Sequence, residues 1–164
     1  MPNISSVEEM RDYVIAQTKT IIPDNAYRSN VGENVITYFA EVKNITHFPT
    51  VAILLGTENV KSDDANASVW ESNIDVMFIG YVKVEDCEPL IHDIKRLIAG
   101  MILSNANVPE NRWVVNATEM GDGMLRIGRY FLAGAKTGFC SVTMQVKVMN
   151  QDSTFSPLDL NAEG

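Results

Sequence analysis

The side chains best suited to bind a metal or attack a carbonyl in this 164-residue sequence are two histidines, His47 and His92, and two cysteines, Cys87 and Cys140. A zinc centre needs such ligands in close pairs, as in His-x-x-x-His or Cys-x-x-Cys, so that one turn or helix face presents two of them to the ion. None of the four is spaced that way. His47 precedes Phe48-Pro49 in a loop, and His92 falls on the polar side of a helical pattern. Asp64, Asn66, Ser68 and Asp75 match the first, third, fifth and twelfth positions of a calcium loop, but Val69 stands where glycine must make the sharp turn. Gly121-Asp122-Gly123 with Gly128 misses the phosphate-cradling spacing, because Arg126 occupies the third glycine position and a strand pattern follows where a helix is needed. No G-x-S-x-G elbow and no phosphate-binding G-x-x-x-x-G-K-[ST] loop is present. The many carboxylates leave a catalytic pair open, but none is singled out; the expectation is a protein that is not an enzyme, with no catalytic residue, metal or cofactor.

Composition narrows the partners. Thirteen Lys and Arg against 21 Asp and Glu give a net charge of −8, which disfavours both a nucleic-acid grip built on phosphate neutralisation and docking on an anionic membrane. The hydrophobic share of 46% with 21% charged residues is that of a folded globule, sufficient to bury a core without a metal or disulfide. No apolar run approaches the roughly 20 residues that span a bilayer, and no secretory leader opens the sequence. Cytoplasmic synthesis is therefore expected, with reduced, buried thiols. The sequons at Asn3, Asn44, Asn66 and Asn116 are then accidents of composition.

The elements that must position any site follow from periodicity. Ser5 or Ser6, with Glu8 and Glu9 behind, resembles a capped helix start; Val7, Met10, Val14, Thr18 and Ile21 form its apolar stripe, and Pro23 stops it. After a loop over 24–34, residues 35–40 predict a short strand. The run over 50–56, closed by Gly56, predicts a strand buried on both faces. Residues 57–68 are polar and predict a long turn or protruding hairpin tip. From 69 to 84 a strand places Ile74, Val76, Phe78, Val82 and Val84 on one face and Asp75, Met77, Ile79, Tyr81 and Lys83 on the other; one face should meet helices, the other a second surface. Acidic residues at 85, 86 and 88, with Pro89, open a second helix. Its apolar face is Leu90, Ile91, Ile94, Leu97, Ile98, Met101 and Ile102; His92, Asp93, Lys95 and Arg96 lie opposite, and Ser104-Asn105 ends it. Strands are expected at 112–118, 124–133 and 138–149, separated by glycine turns at 121–123 and 134–138. The fold class expected is α+β: one domain over 1–150, a mainly antiparallel sheet with two helices packed on one face and a protruding arm, then a flexible tail over 151–164.

Residues 47–58, His-Phe-Pro-Thr-Val-Ala-Ile-Leu-Leu-Gly-Thr-Glu, resemble the F-P-x-V-x-V-x-x-G-x-E segment of the tail terminator proteins of long-tailed, siphovirus-type bacteriophages. Phe48, Pro49, Val51, Ile53, Gly56 and Glu58 carry the match, and the order of elements over about 5–150 is similar to that family's. The resemblance implies a structural virion protein with the same α+β fold. Such a protein forms a homo-oligomeric ring, commonly a hexamer, on the last ring of the major tail tube protein. It halts tube polymerisation and faces the head–tail connector or stopper protein. DNA passes through the lumen without specific binding, and an acidic lining suits that passage. The expected location is the neck-proximal end of the virion tail, assembled in host cytoplasm, with no membrane. Assembly contacts are expected from the arm over 57–68 and the turn over 120–125, through Asp63, Asp64, Asn66, Trp70, Asp122 and Met124. Two other readings stand beside this one: a head-completion or neck protein, and a small cytoplasmic α+β enzyme or ligand-binding domain.

Overall fold

Met10, Val14 and Thr18 recur at helical spacing and are buried along one side of α1 (Ser6–Thr18). The computed structural model describes residues 6–63, 66–105, 113–115 and 125–150. Pro23 does not end α1, which stops five residues earlier. The Thr18 hydroxyl donates to the Val14 carbonyl at 2.7 Å and the Thr20 hydroxyl to the Gln17 carbonyl at 2.6 Å, so side chains satisfy the last turn. Pro23 instead opens a 3-10 turn. Ser6 is already helical, and its buried hydroxyl has no partner among the described residues, so it does not supply the expected cap; Ser5 lies outside them.

The strands are β1 (Val35–Ile36), β2 (Thr50–Asp63), β3 (Asn66–Lys83), β4 (Trp113–Val115), β5 (Arg126–Tyr130) and β6 (Thr137–Asn150). They form one sheet in the order β1-β2-β3-β6-β4, with β5 on the same side of β6 as β4. All pairings are antiparallel except β1 with β2. The expected strand over 35–40 thus shrinks to two residues, and Tyr38 and Phe39 beyond it are exposed. Gly56 does not close β2: after a bulge between Leu55 and Glu58 the strand runs on, so of the two expectations for 57–68 the protruding hairpin is the one present, and its described residues are strand rather than turn. The expected strands at 112–118 and 124–133 are described only as β4 and β5, and 121–123 lies outside the described residues.

Alternation along the central strands builds two layers of core. Val51, Ile53, Ile74, Val76, Phe78, Val82, Cys140, Val142, Met144, Val146 and Val148 face α1 and the second helix, α2 (Cys87–Asn105), which covers the sheet through Leu90, Ile94, Leu97, Ile98 and Met101. The expected arrangement of both helices on one face is therefore present. Gly80 permits the close approach of α2, because a Cβ there would sit 2.5 Å from Leu90 and 2.9 Å from the Cys140 sulfur. Val84 does not share this face; it is 46% exposed in a 3-10 turn before α2.

Ala52, Ile79 and Tyr81 form a smaller core on the opposite face. The second surface expected there is the chain's own segment over 36–48, through Ile36, Ala40, Val42, Ile45 and Phe48. The buried Tyr81 hydroxyl donates to the Ala40 carbonyl at 2.6 Å and accepts from the Ala40 N–H at 2.9 Å, fixing that segment by both its backbone groups.

Asp93 overturns the expected polar face of α2. It is 1% exposed and accepts backbone N–H groups from Arg28 (3.1 Å to each oxygen) and Ser29 (2.8 Å), tying the loop over 24–34 to the helix. His92, Lys95 and Arg96 are exposed as expected; Arg96 reaches the Ala26 carbonyl and lies 4.5 Å over the Tyr27 ring.

Removing either clasp should cost measurable stability. Asp93→Ala leaves two backbone donors without their charged acceptor and should lower unfolding free energy by about 2–3 kcal/mol. Tyr81→Phe, losing a neutral pair of bonds, should cost about 1–2 kcal/mol. Urea unfolding of the two variants beside wild type gives the order; equal stability for Asp93→Ala would contradict the clasp.

Candidate functional site

The motif over 48–58 spans three environments, from two residues ahead of β2 to the exposed half of that strand. Phe48 and Pro49 are half-buried, Phe48 against the smaller core; Val51 and Ile53 are buried beneath the helices. Gly56 stands at the bulge, where a Cβ would press within 3.2 Å of the Met77 sulfur. Glu58 is exposed beyond it. Most of the motif therefore makes structure, and only its end reaches the surface.

That surface is the hairpin of β2 and β3. Every side chain over 55–61 is exposed, with Val60 at 51%. Asp63 and Asn66 pair at its tip and Trp70 pairs with Ser62. Asp64, Asp122 and Met124 lie outside the described residues. Of the expected assembly residues, the structure brings together Asp63, Asn66 and Trp70 on one hairpin.

Beyond the segment over 36–48, the far face of the sheet is a charge-paired strip. Glu71 lies between Lys61 (3.2 Å) and Lys147 (3.4 Å), and Asp75 meets Arg126 at 2.8 Å. Lys61 foremost, then Lys147, holds the Glu71 carboxyl below its ordinary value. On the helix side Arg129 grips both oxygens of Glu88 at 2.7 Å, which lowers the Glu88 pKa. Both shifts stabilise the charged carboxylate, opposite to the tuning of a general acid at neutral pH.

At the other end of the sheet is an open apolar groove of about 770 Å³, lined by Val42, Arg129, Tyr130, Phe131, Leu132 and Phe139. Tyr130 stacks on Phe139 at 4.8 Å, and Phe39 meets Phe139 edge-on at 6.3 Å. Leu132 is 84% exposed. Sequence reasoning missed this aromatic end; the signal was present in Tyr38-Phe39, Tyr130-Phe131 and Phe139, but only the sheet register assembles them.

The thiols meet. Cys87, at the start of α2, and Cys140, on β6, are both buried, and each bears on the other's ionisation. Burial pushes Cys140 up to about 12 and also raises Cys87. An activated nucleophile needs the opposite shift. Thr50 donates to the His47 carbonyl at 2.6 Å, so the part of His47 engaged there is its backbone; the side chain is exposed. Among the described residues no group of three His, Cys, Asp or Glu side chains could hold a metal, and no helix is long and apolar enough to cross a membrane.

Two solution measurements follow. Native protein at pH 8 should leave Cys87 and Cys140 unalkylated, with both labelling in urea; rapid native labelling of Cys140 would contradict its burial. For Glu88 the folded pKa lies below the unfolded one, so its contribution is present above about pH 4.3 and lost as pH falls through the folded value. Arg129→Ala should therefore flatten the acid limb of the stability profile, read from urea midpoints between neutral and strongly acidic pH. No protein-family model and no curated protein matches the chain.

Proposed function

We propose that this chain is a tail terminator of a long-tailed bacteriophage: a structural subunit that closes into a ring on the tail tube, ends its polymerisation and offers its outer side to the head connector. The observation that carries the reading is the strand over 50–63. It bears all but the first two residues of the 48–58 segment similar to that family, is rooted in the core at Val51 and Ile53, and is exposed over 55–61. An α+β sheet with both helices on one face, which the resemblance implied, supports it.

The physical logic is a subunit with unlike ends. One end of the sheet carries the hairpin and its charge pairs; the other carries the aromatic groove of Tyr130, Leu132 and Phe139. A ring of such subunits presents two chemically different faces, so one can match a tube end while the other refuses a further tube ring. Head-to-tail contacts that close by rotation give a ring and not a filament. The net charge of −8 suits a channel through which DNA slides without being held. Virion location at the neck-proximal end of the tail belongs to the same proposal.

The apolar groove also favours a second reading, a ligand-binding domain that takes a flat apolar molecule between Tyr130 and Leu132. Mixing the purified chain with its cognate tube protein during polymerisation separates the two. Capping predicts annular particles in negative stain and tubes whose growth stops on addition. Unrestricted tube growth at saturating protein would sink the terminator reading. Binding of the chain only to tail-less heads would favour a neck protein instead.

A further inference from the structure

β2 has an open edge. On its outer side β1 pairs only with Val51 and Ala52, and beyond that point no described strand lies alongside residues 54–63. The Val51 N–H donates outward to the Asn34 carbonyl at 2.9 Å, so strand alternation turns the N–H groups of Ile53 and Leu55 to the same side. The bulge after Leu55 shifts the register by one, and beyond it Glu58 and Val60 take the outward positions. Natural edges are guarded by short length, charge or proline. This one is long, carries Leu55 and Val60 at 37% and 51% exposure, and its Lys61 is engaged by Glu71.

Beside the edge runs a groove of about 600 Å³ whose far wall is α1: Arg11 and Ile15 face Ile53 and Leu55 across it. A strand edge with a helix for its opposite wall is the geometry that receives an added extended segment, with main-chain bonds for affinity and the helix side for specificity.

The chain also carries an edge that fits. Among the described residues β4 and β5 pair only with β6, and no described strand lies on their outer sides. β2 and β6 are both antiparallel to β3 and so share a direction; β4 and β5 run against β6, and therefore against β2. Rotating a copy about an axis roughly along the strands preserves these directions. Such a copy brings its β4–β5 edge to β2 in the antiparallel sense, the more stable of the two pairings. The two edges are unlike, so the contact is heterologous and leaves a free β2 edge and a free β4–β5 edge at the ends until rotation closes them.

We propose that the open edge of β2, over 54–63, pairs antiparallel with the β4–β5 edge of a second copy of this chain, so that the sheet continues from subunit to subunit. This rests on the ring reading above and names the interface of that ring.

Amide hydrogen exchange on the purified protein, dilute and concentrated, tests it alongside native mass. On assembly the amides of Leu55, Glu58 and Val60, and those within 113–115 and 126–130, should slow by about tenfold or more. Val60→Pro removes only an outward N–H, and Leu55→Lys places a charge on the edge. Each should return the protein to monomer while its cooperative melt persists. An oligomer whose 55–60 amides exchange as in the monomer would overturn the proposal. So would a chain monomeric at every concentration, alone or with tube, or a dimer protected along β2 only, which signifies β2 pairing with itself. Protection on both edges without any effect on tube growth upholds this interface and sinks the capping role instead.

Discussion

The β3–β6 pair sets the terms for the rest of the molecule. It runs antiparallel from Trp70–Asn150 to Lys83–Thr137, and over its middle both faces are apolar: Phe78 and Val142 on one, Ile79, Tyr81 and Phe139 on the other. A pair apolar on both sides has to be covered on both sides, at about 25 cal/mol for each Å² of apolar surface removed from water. The helices cover one face. No described helix lies on the other, and an irregular segment over 36–48 covers it.

Irregular backbone over a core must satisfy its own polar groups, and the two buried polar clasps do that work. Tyr81 takes both backbone groups of Ala40, and burial raises its phenol pKa, keeping the hydroxyl protonated and able to donate. Asp93 performs the equivalent task on the helix side, holding the loop over 24–34 by two N–H groups. Both residues lie within regular elements and reach non-regular ones. The order of the loops is thus borrowed from the sheet and from α2.

The sheet changes character along its length. Where the covering segment ends, the far face turns from apolar to charge-paired, through Glu71, Asp75, Arg126 and Lys147, and β2 loses both its helix cover and its outer neighbour. Surface ion pairs of this kind, with half-buried carboxylates, contribute little stability, at ~0–1 kcal/mol each, but they keep a sheet surface wet and resist indiscriminate stacking. The combination leaves one edge available for pairing and one broad face guarded. That asymmetry is what the proposed side-by-side pairing of copies would use.

The sequence alone determined what depends on local periodicity: the apolar face of α2, the alternation of β3 and β6, the burial of Val51 and Ile53, and the α+β class. These were legible because a helix or strand face repeats every few residues, so a short window contains the whole signal. Only the tertiary structure decided that Asp93 turns inward, since its partners lie 64 and 65 positions away. The same holds for the second core, for the aromatic end built from residues 39, 130 and 139, and for the continuation of β2 past Gly56. In each case the deciding neighbour is remote in the chain, and a polar residue takes its place according to what meets it there.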